Sequence, residues 1–133
     1  MKRPTVATVF GILNIVFGAI GVLGILSIGA TFQYSMVYGF LRLISIAVSG
    51  LLLAAGVFMM MNKKMSIDLN KYYAIASLAI TVIYAIYLIV ALGMVGFVGA
   101  IFVILIGVIY PVLLWFMVIN NEPVKSFYAS QAS

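Results

Sequence analysis

The chain has no cysteine and no histidine, and only two acidic side chains, Asp68 and Glu122, among its 133 residues. Without cysteine there can be no disulfide, no thiol redox chemistry, no thiolate metal site and no palmitoyl or prenyl anchor. Without histidine the commonest metal ligand and the commonest general base are missing. Neither acid falls inside a long apolar run, so no carboxylate is placed to carry protons within a membrane helix. Charge of any sign is scarce: seven Lys/Arg and two acids make up 7% of the chain, against 67% apolar residues and a mean hydropathy of +1.35. A soluble domain carries about a quarter charged residues and about half apolar ones. This composition excludes a soluble enzyme, a nucleic-acid module and a disordered tail. The net charge of +5 comes from basic residues that flank apolar runs, so topology explains it better than nucleic acid does.

What the chain has is long stretches without any charge: residues 4–41, 43–62 and 72–121. About 20 apolar residues cross the hydrocarbon core as a helix. The first stretch holds one span and a loop, the second one span, and the third two spans joined by a tight turn near Gly93, Gly96 and Gly99. The expected spans are 5–28, 39–61, 72–92 and 95–119, in a single transmembrane domain over residues 1–133. The fold expected is all-α, an integral membrane four-helix bundle. A barrel would need apolar and polar residues to alternate, and the run Ile101-Phe-Val-Ile-Leu-Ile106 does not. Lys2 and Arg3 before an apolar segment, with Ser27-Ile28-Gly29 after it, resemble a signal peptide. That segment exceeds 20 residues, longer than a signal core of about 7–15, so a retained helix is expected.

Four spans put the N-terminus, the middle loop and the C-terminus on one side. That side carries Lys2, Arg3, Lys63, Lys64, Lys71 and Lys125, and the other only Arg42. Excess basic charge faces the cytoplasm, so both termini are expected there, in one orientation. Tyr34 and Tyr38 should mark the outer boundary, and Tyr72, Tyr73 and Trp115 the inner one. The outer loop 30–38 is too short for a folded external domain. Lys63, Lys64 and Lys71 should meet anionic lipid. Asn62 should end the second span, with Ser66, Asp68 or Asn70 capping the next. Asn120-Asn-Glu-Pro123 should stop the last span, leaving Val124, Phe127 and Tyr128 to lie on the membrane surface.

Helical spacing groups the few small and polar residues. In the first span Ala7, Gly11, Asn14, Gly18 and Gly21 share a face on which another helix can approach closely. Packing within the chain is the simplest use of it, and self-association or a partner the next. In the second span Arg42, Ser45, Ser49 and Gly56 share a face. Arg42, near the first turn, can snorkel to headgroups, which makes it a candidate lipid-phosphate or anion contact. In the third, Tyr84 needs a hydrogen-bond partner at mid-depth, with Asn14 or Ser49 as candidates. In the fourth, Gly107 and Pro111 are the candidate kink, since proline lacks an N–H and crowds the carbonyl four residues back.

No nucleophile–base pair, metal cluster or phosphate loop is visible, so no catalysis and no cofactor is expected. The expected surroundings are the lipid bilayer and a membrane-protein partner or a second copy, with no nucleic acid. Two functions remain: an accessory or assembly subunit of a membrane complex, or a homo-oligomeric channel or passive small-solute transporter whose path follows the Arg42–Ser45–Ser49 stripe. Arg3-Pro-Thr5 with Val9-Phe-Gly-Ile-Leu-Asn14, and Tyr110-Pro-Val-Leu-Leu114 with Pro123-Val-Lys125 and Phe127, resemble a type of small four-helix bacterial inner-membrane protein. The strings cover about a fifth of the chain. The resemblance implies a bacterial plasma membrane and carries over no activity and no functional residue.

Overall fold

Ser35 and Gly93 are the two places where the backbone turns at one end of the molecule; Asn62 and Asn121 turn it at the other. The computed structural model describes residues 2–131, and its elements are all helical. Helix α1 (Thr5–Leu23) runs through a 3-10 turn (Gly24–Ser27) into α2 (Ile28–Tyr34). Then come α3 (Met36–Met60), α4 (Ser66–Leu114), a π turn (Trp115–Ile119) and α5 (Glu122–Ala129). Three helical segments are long and apolar enough to cross a membrane: Thr5–Tyr34, Met36–Met60 and Ser66–Ile119.

The last of these holds 54 residues, and it is broken at Gly93, where φ is 62° and ψ is −128°. That conformation suits glycine because a Cβ would strain the backbone. The chain doubles back there. A Cβ on Gly96 would collide with the Leu88 carbonyl, and one on Gly107 would lie 2.5 Å from Thr81 Oγ1, so the arms on either side of Gly93 pack along each other. No neighbour lies within 4 Å of a Cβ at Gly93 or Gly29. Gly93→Ala should therefore cost only backbone strain, about 1–3 kcal/mol. Gly29→Ala, inside α2 and without a positive φ, should be neutral or gain up to about 1 kcal/mol. Unfolding of both variants in mixed micelles checks the contrast; equal effects would mean the turn is not made at Gly93.

Several boundaries differ from the sequence expectation. Residues 30–34 are helical rather than loop. The Ser27 hydroxyl donates to the Gly24 carbonyl and that of Thr31 to the Ser27 carbonyl, which carries the helix onward. Ser35, extended at φ −159° and ψ 130°, is then the whole connection, and its Oγ accepts the Tyr38 N–H at 3.2 Å to cap α3. At the other end of α3, Asn62 adopts φ 56°. Lys63 N–H bonds the Phe58 carbonyl and Asn62 N–H that of Met59, the pair that closes a helix on a left-handed residue. Helix α4 starts at Ser66 and not at 72, after Met65, with no side chain capping it; Asp68 stands in its first turn.

Gly107 and Pro111 were the candidate kink, but the backbone stays helical through both. Gly107 is instead the point where Thr81 of the first arm sits against the second. The irregularity comes one turn later, in the π turn, where Asn120 N–H reaches the Trp115 carbonyl at 2.8 Å. It brings Val118 and Ile119 into the core.

Helix α1 packs on α3, and α3 on the first arm of α4. The small face of α1 is consumed in this contact. A Cβ on Gly18 would stand 2.5 Å from the Leu53 nitrogen, and one on Gly56 2.8 Å from the Gly11 carbonyl oxygen. Only glycine lets the two backbones come this close. The largest buried cluster lies at the end that holds both chain ends: Phe10, Met59, Leu114, Val118, Val124 and Tyr128 are among its members. Helix α5 belongs to it. Asn121 Oδ1 accepts the Val124 N–H at 3.2 Å, Glu122 and Pro123 open the first turn, and Val124, Phe127 and Tyr128 share the inward face. These three side chains cover the chain's own core and do not lie free on a surface, as their apolar spacing alone suggested.

Candidate functional site

Polar side chains inside an apolar chain cost free energy unless they find partners. The polar residues of this chain gather in two places.

The first lies toward the end with the chain termini. Asn14 is fully buried. Its Nδ2 donates to Asn70 Oδ1 at 2.8 Å and faces Met59 Sδ at 3.5 Å. Its Oδ1 accepts the Tyr110 hydroxyl. Asn70, also fully buried, donates to the Ser66 carbonyl at 2.8 Å and to Met59 Sδ at 3.2 Å. Three segments distant in sequence are thus tied at one depth: α1, the first arm of α4 and the second arm. Ser66 Oγ is buried beside this network with no hydrogen-bond partner among the described residues. Phe10, Phe17 and Tyr73 surround the Tyr110 ring, Phe17 edge-on at 5.3 Å between centroids.

One carbonyl below this network receives both chain ends. The Tyr128 hydroxyl donates to the Met59 carbonyl at 2.9 Å, and Arg3 Nη1 reaches the same oxygen at 3.3 Å. Arg3 also donates to the Met60 carbonyl at 3.1 Å, to Asn62 Oδ1 at 2.8 Å and, through Nε, to Thr8 Oγ1 at 3.0 Å. A cation at a helix C-terminus satisfies carbonyls that lack an intrahelical donor and opposes the negative end of the helix dipole. Burial pushes the Tyr128 phenol up to about 12, although the Arg3 guanidinium acts to lower it. A raised phenol keeps its proton in the folded state. Its contribution is therefore complete below about pH 10, the ordinary tyrosine value, and is lost as pH rises toward 12. Protection of α5 from proteolysis should hold to about pH 10 and fall above it, less steeply in Tyr128→Phe. An identical fall in that variant would show that Tyr128 is not its source.

The second polar group lies toward Ser35 and Gly93. Tyr84 stands here beside Ser45, with Tyr38 and Arg42 close by, and not beside Asn14 or Ser49. Tyr38 stacks on Tyr87 at 6.0 Å, and the Tyr87 hydroxyl donates to Ser35 Oγ at 3.4 Å. Ser49 packs where a Cβ on Gly21 would be, and Arg42 Nη2 lies 2.8 Å from the corresponding point on Gly24. The Arg42–Ser45–Ser49 stripe therefore faces α1 and the first arm of α4, half-buried. Of the predicted residues, Gly11, Asn14, Gly18 and Gly21 meet α3 as one face. Asn14 and Tyr84, expected as possible partners, belong to different clusters.

Sequence reasoning missed Asn70, Tyr110, Met59 and Arg3 as cluster members. Asn70 had the look of a cap, and Arg3 of a topology charge. One signal was available for Asn14 alone: it is an amide well inside an apolar run, and a buried amide needs a partner.

Beside Tyr110 the surface opens into a groove of about 320 Å³ between α1 and the α4 arms, lined by Phe17, Tyr73, Ile106, Ile109 and Tyr110. The sequence matches no protein-family model, no curated protein and no solved structure.

Proposed function

We propose that this chain is an accessory or assembly subunit of a larger membrane complex, non-catalytic and without a cofactor. In this reading its four apolar segments form a bundle in a bacterial inner membrane, with both termini in the cytoplasm. The observation that carries it is the groove beside Tyr110. The small-residue face of α1 is already filled by α3, so it is not free to bind another protein. The groove is a concave apolar seam that no element of the described chain fills, and a partner's membrane helix fits such a seam by van der Waals packing. The orientation is supported by charge: Arg3, Lys63, Lys64 and Lys125 belong to the end where the termini meet, and Arg42 is the one basic residue toward the other. A channel would route its path along Arg42, Ser45 and Ser49, which face the chain's own helices, so we take the accessory reading.

Photo-crosslinking tests it. A diazirine residue at Ile106, in the groove, should give one discrete protein adduct. The same residue at Ile20, 63% exposed on α1, should give lipid adducts alone. Ile106→Trp should release the partner while the chain still accumulates in the membrane. A wild-type chain that emerges alone from mild detergent, with no adduct at Ile106, sinks the reading. Because the chain has no cysteine, single introduced thiols report orientation cleanly. An impermeant maleimide should label Tyr34→Cys from outside and leave Ser130→Cys untouched.

A further inference from the structure

At the end where the termini meet, a recess of about 200 Å³ is lined by Lys64, Ile67, Asp68, Lys125 and Ala129. Three elements build it. Lys64 comes from the loop after α3, Ile67 and Asp68 from the first turn of α4, and Lys125 and Ala129 from one face of α5, four residues apart. The recess brings two ammonium groups and one carboxylate around a space. Among the described residues neither lysine comes within 4 Å of Asp68; the one ion pair is Lys125 with Glu122 at 3.4 Å. That pair is solvent-exposed, 44% and 79% for the two side chains, and such pairs hold their partners weakly. Lys125 thus keeps donors to spare.

We propose that this recess binds the phosphoethanolamine headgroup of a membrane lipid. Lys64 and Lys125 donate to the phosphodiester oxygens, and Asp68 accepts from the primary ammonium. Charge complementarity selects the occupant. A headgroup with phosphate alone would leave Asp68 facing an anion, and a quaternary ammonium could not donate a hydrogen bond to it. The setting selects a lipid and not a soluble phosphate. Ile67 and Ala129 give the recess an apolar floor, and Met61 and Met65, 55% and 47% exposed, flank Lys64 where acyl chains would begin. The inference rests on membrane insertion of the chain and is independent of the accessory role.

The test is native mass spectrometry of the full chain, released from nanodiscs and titrated with phosphatidylethanolamine, phosphatidylcholine and phosphatidylglycerol of identical acyl chains. Phosphatidylethanolamine should bind about fivefold or more tightly than the other two, a ratio worth one well-placed charged hydrogen bond. Asp68→Asn should erase its advantage over phosphatidylcholine while leaving phosphatidylcholine binding unchanged. Lys64→Ala with Lys125→Ala should weaken all three together, about tenfold. All three side chains are exposed, so these variants should fold. Tightest binding of phosphatidylglycerol, or an unchanged preference in Asp68→Asn, would overturn the proposal in favour of general attraction of anionic lipid to the basic end. Soluble glycerophosphoethanolamine binding as tightly as the lipid would overturn the lipid source. Alkaline carbonate extraction of the same membranes separates the premise from the inference. Release of the chain overturns both; retention with equal binding of all lipids overturns the headgroup site alone.

Discussion

Gly18→Ala should unfold the α1–α3 contact, a large loss for a single methyl. The new Cβ would lie 2.5 Å from the Leu53 nitrogen and 2.7 Å from its Cα. Those are backbone atoms of a helix, which cannot swing aside as a side-chain tip can. The helices must separate, and overpacking of this kind costs about 1–3 kcal/mol, occasionally more. Separation also draws Asn14, one turn away on the same face, from Asn70 and Met59, leaving buried amide groups unpaired at about 1–3 kcal/mol each. We expect a total loss of about 3 kcal/mol or more. Gly50→Ala is the control. Its Cβ would meet nothing nearer than Val22 Cγ2 at 4.0 Å, so it should be neutral or gain up to about 1 kcal/mol from helix propensity. Steric-trapping measurements on the two variants decide it; similar losses would mean the close approach at Gly18 is not what holds α1 in place.

Asn14→Leu should be the next most damaging change, at about 2–3 kcal/mol. It leaves Asn70 Oδ1 buried without its donor and the half-buried Tyr110 hydroxyl without its acceptor. Tyr110→Phe removes one donor and should cost less, about 0.6–1.7 kcal/mol, the range for single hydrogen bonds between membrane helices. The informative variant is the double one. Asn14→Leu with Asn70→Leu removes both amides, so neither is orphaned by the other's loss. Its cost should fall well short of the sum of the two single changes. Additive costs would show that the two amides do not act as one unit.

Much of the architecture was legible because it depends on local composition. A charge-free run of this length can satisfy its backbone in an apolar medium only by closing hydrogen bonds on itself, and the runs bounded by Arg42, Lys63 and Lys71 are helical. The face of Ala7, Gly11, Asn14, Gly18 and Gly21 was legible for the same kind of reason. Helical spacing is a one-dimensional property, and a row of small side chains invites a neighbour. Pairing is not one-dimensional. Asn70 stands near Asp68 and Lys71 in a segment read as loop, and residue types that cap helices outside a core also bond inside one. Only the start of α4 at Ser66 puts Asn70 a full turn into the helix, opposite Asn14. Tyr84 shows the same limit from the other side. Its need for a partner was legible, yet which cluster it joins depends on the packing of α3 against the first arm, where Ser45 and Tyr38 meet it. Gly107 shows the same limit, since its contact with Thr81 depends on how the second arm lies on the first.

The shared use of the Met59 carbonyl by Arg3 and Tyr128 has a consequence for biosynthesis. Residues 3 and 59 have long left the ribosome when Tyr128 is made. Every long apolar helix is complete by then, yet Leu114, Val118 and Met59 await the cover that Val124, Phe127 and Tyr128 supply. The core around Met59 therefore stays open until α5 follows, and α5 acts as its clasp. A chain cut short after Asn120 would keep its three membrane-length helical segments and still leave Met59, Leu114 and Val118 without the cover that α5 supplies.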